Sequence, residues 1–149
     1  MNTSGKSNLE QRVQRFVMLN AKMRKATLRS EQQFLKLAGN ISAAQLQILL
    51  VVGDNSECTM TQIANILFFS QANTTQMIDR LIEKRLLKRN RSKKDKRVVN
   101  ISLLTKGQKI YDLNKEHVAR TARTWLSLMN DEDQESMLQV WEKYLSHAA

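Results

Sequence analysis

A mainly helical fold with one small β-hairpin is what this sequence predicts, and three observations carry the prediction. The 149 residues include no proline and only four glycines. Long stretches repeat their apolar residues with a period near 3.6. One pair of short alternating segments, separated by a charged tip, interrupts that helical pattern late in the chain.

The elements follow in order. Residues 8 to 37 form a long amphipathic pattern, with Leu9, Val13, Phe16 and Val17 at helical spacing and Phe34 and Leu37 further on; Gly39-Asn40 ends it. Two helices are then announced by capping boxes, where a Ser or Thr side chain bonds the N3 amide and an N3 Gln reaches back. The first is Ser42-Ala43-Ala44-Gln45, opening an apolar run through Val52. The second is Thr59-Met60-Thr61-Gln62, opening a short helix whose Ile63, Ala64 and Leu67 share a face before a turn near Phe68-Phe69.

A helix from Ser70 to about Lys84 puts Thr74, Met77, Ile78 and Leu81 on a core-facing stripe. Ser70, Gln71, Asn73, Thr75, Gln76 and Arg80 supply its polar residues. Amides and hydroxyls pair with base edges in a major groove: Gln and Asn suit adenine, Arg suits guanine. Leu86 to Arg91 and Val98 to Leu103 read as two strands joined by Ser92-Lys93-Lys94-Asp95-Lys96-Arg97, a polar, highly charged tip. From Thr105 the chain is helical to about Met129. Asn130 or Asp131 then caps a last helix with Met137, Leu138, Trp141 and Leu145 on one stripe.

Charge narrows the function. The chain carries a net charge of +10, and the 18 residues from Arg80 to Arg97 hold ten basic and two acidic side chains, whereas Leu37 to Asp79 contains no Lys or Arg. Such a local excess is an electrostatic footprint for nucleic acid or an anionic membrane. A membrane-surface helix sets Lys and Arg beside Trp, Phe and Leu, whereas these lie on a hairpin, which favours DNA. The longest apolar run, Ile48 to Val52, is far short of a membrane span. The single cysteine, Cys58, permits no intrachain disulfide and fits a reducing, cytoplasmic compartment. No CxxC, HExxH, or GxxxxGK followed by Ser or Thr occurs, and no nucleophile, base and orienter fall into a recognisable set, so neither an enzyme nor a cofactor is expected. His117 and His147 stand alone, which argues against a metal.

The order helix, helix, polar helix, strand, basic loop, strand, long helix resembles the winged helix-turn-helix of the MarR family of bacterial regulators. The likeness rests on SAAQLQILL (42 to 50), on TMTQIANILFFSQANTTQMIDRLIEK (59 to 84), and on Asp95-Lys96-Arg97, which matches the family's DxR wing motif. The resemblance implies a single domain over 1 to 149, with a DNA-binding lobe at 42 to 104 and dimerisation helices at 8 to 37 and 106 to 147. It also implies a two-fold dimer placing a recognition helix in each of two successive major grooves. Arg91, Lys93, Lys94, Asp95, Lys96 and Arg97 would form the wing, with Asp95 orienting Arg97 toward the minor groove. Trp125, Met129, Met137 and Trp141 would pack the dimer interface, and a small aromatic ligand between helices and lobe is a possible partner.

Three positions depart from the family. Phe68 and Arg85 stand where glycine is usual, and either would be strained at positive φ. Leu104 stands where a capping Thr is usual, so Thr105 is expected to cap instead. Cys58 differs in place from the first-helix cysteine with which some relatives sense oxidants, and reads as a buried small hydrophobe. The rival to a DNA-binding repressor is a winged-helix module that binds a protein partner, as an antirepressor or adaptor does.

Overall fold

The computed structural model describes residues 3–91 and 98–148. In chain order its elements are α1 (Thr3–Leu37), α2 (Ala43–Asn55), β1 (Cys58–Thr59), α3 (Met60–Leu67), α4 (Gln71–Glu83), β2 (Leu87–Arg91), β3 (Val99–Leu103), α5 (Thr105–Leu126) and α6 (Asp131–Ala148). Both capping boxes form. Gln45 N–H donates to Ser42 Oγ at 3.2 Å and Ser42 N–H to Gln45 Oε1 at 3.0 Å. Thr59 and Gln62 repeat the exchange at 3.2 and 2.8 Å. Each box satisfies two amides that the first helical turn leaves without partners.

The core lies in the middle of the chain. Ile48, Leu49 and Val52 of α2, Ile63 of α3, Ile78 and Leu81 of α4, and Leu86, Leu87 and Ile101 around the sheet are all buried. Among the described side chains of α1, Phe34 is buried in this core and Leu35 packs half-buried against it, joined by Ala38 just past the helix end. α5 buries Gly107, Ile110 and Tyr111 and then runs out from the lobe, while the described side chains of α6 are half-buried or exposed.

The sheet is antiparallel, in the order β1-β3-β2, with Leu87 opposite Leu103, Arg89 opposite Ile101 and Arg91 opposite Val99. Its third strand was not expected from sequence. Cys58 and Thr59 pair with Ile101 and Asn100 of β3, leaving too few residues for any alternation to show.

Two helix ends also differ from expectation. Leu104, not Thr105, is the N-cap of α5; it makes no side-chain bond, and Thr105 is already the first helical residue. The Leu104 amide is instead used across the fold, donating to Leu86 O at 2.9 Å, which fixes the register of the helix start. α5 ends at Leu126 rather than near Met129, because Gln134 Nε2 reaches back to the carbonyls of Leu126 and Met129, both at 3.1 Å, and closes the turn into α6. Asn130 caps that helix, its Oδ1 accepting from Asp133 N–H at 2.8 Å.

The two glycine-replacing residues do occupy left-handed backbone, Phe68 at φ 54° and Arg85 at φ 56°. Both sit in helix-ending turns: Phe69 N–H bonds Ala64 O, and Leu86 N–H bonds Leu81 O, each at 2.9 Å.

Candidate nucleic-acid interface

α4 is held by one face and shows the other. Thr74, Ile78 and Leu81 have no exposed surface, and Thr74 Oγ1 donates to Ser70 O at 3.0 Å, so this polar side chain is satisfied inside the core. Helical spacing then turns the intervening residues outward. Gln71, Asn73, Gln76 and Arg80 are exposed, and Thr75 is half-buried. Ser70 is the N-cap, accepting the Asn73 amide at 3.3 Å, while Thr75 Oγ1 donates to Gln71 O at 2.9 Å. Those two hydroxyls are partly engaged by the helix itself. Among the described residues, the side-chain amides of Gln71, Asn73 and Gln76 and the guanidinium of Arg80 make no side-chain bond, and these are the groups open to a partner.

Two residues of this face carry weight that sequence reasoning did not give them. Ala72 is exposed beside Gln76, and a methyl there matches the 5-methyl of thymine. Asp79, three residues after Gln76, would repel phosphates, but Arg89 Nη2 of β2 binds its Oδ1 at 2.5 Å. The pair is about half exposed on both sides, so its worth to stability is at most about 1 kcal/mol. Its greater effect is electrostatic, since it neutralises the carboxylate nearest Gln76 and ties that helix to the hairpin.

The hairpin extends the positive surface. Lys88, Arg89 and Arg91 are exposed along β2. Asn90 Nδ2 donates to Ser102 Oγ at 2.6 Å and Asn100 Nδ2 to Glu57 Oε2 at 2.9 Å, which lock β3 to its neighbours on either side. Of the expected wing, Arg91 stands at the end of β2; Lys93, Lys94, Asp95, Lys96 and Arg97 lie outside the described residues.

Cys58 is buried, with Sγ 3.9 Å from Val51 O, and burial pushes its thiol up from the ordinary range. That is the environment of a packed side chain, not of a reactive thiolate. His117 packs on Phe34, ring centroids 5.3 Å apart, with Nε2 3.2 Å from Ser30 Oγ. Among the described residues no group of three or more His, Cys, Asp or Glu is arranged to hold a metal, and no helix is long and apolar enough to cross a membrane.

Helices α2, α3 and α4 around a three-stranded sheet, with the third helix offering a polar face beside a basic hairpin, define a winged helix-turn-helix. Residues 40–98, the lobe itself, match the model of the MarR family. It is 26% identical over 112 residues to the HTH-type transcriptional regulator YfiV of Bacillus subtilis, covering 75% of this chain and 69% of that one. Its fold is similar to that of YusO from Bacillus subtilis, with a TM-score of 0.74 at 24% identity over 99% of this chain and all of the other. It is equally similar to FabT of Streptococcus pneumoniae in complex with DNA, with a TM-score of 0.74 at 22% identity over 94% and 99%.

Proposed function

We propose that this protein is a homodimeric, sequence-specific DNA-binding transcriptional regulator, acting as a repressor on a pseudo-palindromic operator. The observation that carries the reading is the exposed face of α4, where Gln71, Asn73, Gln76 and Arg80 are open to a partner and the acidic Asp79 is already neutralised by Arg89. Amide groups on a helix firmly seated by Thr74, Ile78 and Leu81 are suited to read base edges, and the basic hairpin beside them to hold phosphates. FabT, whose fold this chain shares, is solved with DNA bound.

The dimer follows from what the lobe leaves uncovered. α1 exposes Leu9, Val13, Phe16 and Val17, and α6 exposes Leu138, Trp141 and Leu145. That much apolar surface on two long helices is suited to a second copy. An apolar hollow of about 420 Å³, lined by Met23, Ala26, Trp125, Leu128 and Met129, belongs to the same surface and takes side chains of the partner. The two α4 helices then enter successive major grooves, and repression is steric. A small ligand wedged between helices and lobe releases DNA by shifting the two α4 helices off that spacing. The lobe supplies binding rather than turnover, and it works in the cytoplasm, where the DNA is.

Fluorescence anisotropy on the chain's own upstream region and on a randomised duplex pool, across a salt series, tests the reading. Tight binding to one site above a weak, steeply salt-dependent background is expected. Gln71→Ala and Gln76→Ala should change which bases are preferred. Equal, weak binding to both duplexes refutes sequence-specific regulation and leaves only a basic surface.

A further inference from the structure

We infer that Lys84 is a positioning residue that clasps the recognition helix to the end of α1 and so sets the separation of the two α4 helices; this rests on the dimeric, DNA-binding reading above. Lys84 follows the last residue of α4, and its Nζ donates to Asn40 O at 2.9 Å and lies 3.4 Å from Gly39 O. Those two residues form the exit turn of α1, both in left-handed backbone, at φ 90° and 55°. Main-chain carbonyls just past a helix C-terminus lack helical partners and sit at the negative end of its dipole. An ammonium placed there makes charge-assisted bonds to the end of the helix.

The rest of the joint explains why one side chain matters. α1 is 35 residues long, yet it and its exit turn put only Phe34, Ala38 and Ile41 among the buried hydrophobics. Apolar contacts of that kind resist separation but allow rotation, because they are non-directional. The Lys84 bonds are directional, and their backbone anchor is stiff, since Arg85 follows at once in a left-handed turn whose neighbour Leu86 is buried. If α1 carries the dimer contacts, a small tilt of α4 about the α1 end displaces both recognition helices. Sequence alone counts Lys84 among the phosphate-seeking charges of the basic stretch. The geometry commits it to carbonyls 44 and 45 residues away instead.

The experiment compares wild type, Lys84→Met and Lys84→Arg on duplexes carrying the selected half-sites at their native separation and at separations changed by one and two base pairs. Wild type is expected to favour the native separation. Lys84→Met should narrow that preference by roughly three- to thirtyfold, leave affinity for an isolated half-site and the salt slope unchanged, and keep the urea midpoint of a folded protein. Lys84→Arg, which still offers donors to the carbonyls, should recover the preference. Uniform weakening at every separation, with the salt slope reduced by about one, would show a phosphate contact and overturn the clasp. An unchanged spacing preference in a folded Lys84→Met protein overturns it too. If wild type itself selects no sequence from the pool, the regulator reading fails first and takes this inference with it.

Discussion

Replacing Phe68 by glycine should make the protein more stable, an unusual direction for deleting an aromatic side chain. Phe68 ends α3 in left-handed backbone, at φ 54° and ψ 36°, and its side chain is 96% exposed. A non-glycine residue pays about 1–2 kcal/mol for that conformation. Against its removal stand two smaller quantities. The covered 4% of a side chain of about 200 Å² is about 8 Å², or about 0.2 kcal/mol of lost burial. Glycine also loosens the unfolded chain, by about 0.4–1 kcal/mol. The balance is a gain of about 0.5 kcal/mol. With a urea slope near 2 kcal/mol/M, the midpoint rises by about 0.25 M, measured by circular dichroism at one fixed protein concentration because association contributes to apparent stability. Phe68→Ala is the control, since alanine removes the ring but keeps the strained backbone and should leave the midpoint near wild type. Indistinguishable glycine and alanine variants, or a glycine variant below wild type, would refute the strain argument.

Other outcomes follow from the same contacts. Arg89→Ala should weaken DNA binding more than Asp79→Ala combined with Arg89→Ala, because the single change bares a carboxylate on the reading face; equal losses in anisotropy at fixed salt would contradict this. Gly107→Ala should destabilise by roughly 3 kcal/mol or more, since a Cβ there would meet the backbone oxygen of Leu86 at 2.1 Å, and a native-like urea midpoint would show the contact can relax. Cys58 should resist a thiol reagent at neutral pH until the protein is unfolded by urea, and fast native labelling would contradict its burial. Tyr111 is held protonated by its bond to Asp54 at 2.7 Å, and burial does the same for Cys58. Both groups have raised folded pKa values, so their contribution is present at and below neutral pH. It is lost as pH rises past the ordinary thiol and phenol ranges, which a series of alkaline urea midpoints would reveal.

What the sequence made legible was local. Ser42–Gln45 and Thr59–Gln62 are three residues apart and both capping boxes formed, because such bonds need nothing beyond one helical turn. The buried stripe of α4 and the two strands of the hairpin likewise followed from periods of 3.6 and 2. Phe68 and Arg85 were legible as misplaced non-glycines, and both proved to be left-handed. Missed features depend on partners far along the chain. β1 exists because Cys58 finds Ile101, Leu104 starts α5 because its amide finds Leu86, and Lys84 is diverted by Gly39 and Asn40. Asp79 and Arg89 are only ten residues apart, yet they meet because a strand folds back beside a helix, which no single period encodes.

The Leu86 carbonyl has a mechanical consequence for the whole molecule. It accepts the Leu104 amide at 2.9 Å and lies so near Gly107 that no side chain fits between them. One turn further on, the ring of Tyr111 lies against Gly53 of α2, where an added Cβ would meet it at 2.3 Å, and its hydroxyl holds Asp54. The root of α5 is therefore welded to the hairpin and to α2 over its first two turns. A bend between the terminal helices and the lobe has to fall beyond Tyr111, where α5 has no buried residue. The first two turns of α5 therefore move with the hairpin and the end of α2, on the lobe side of any such bend.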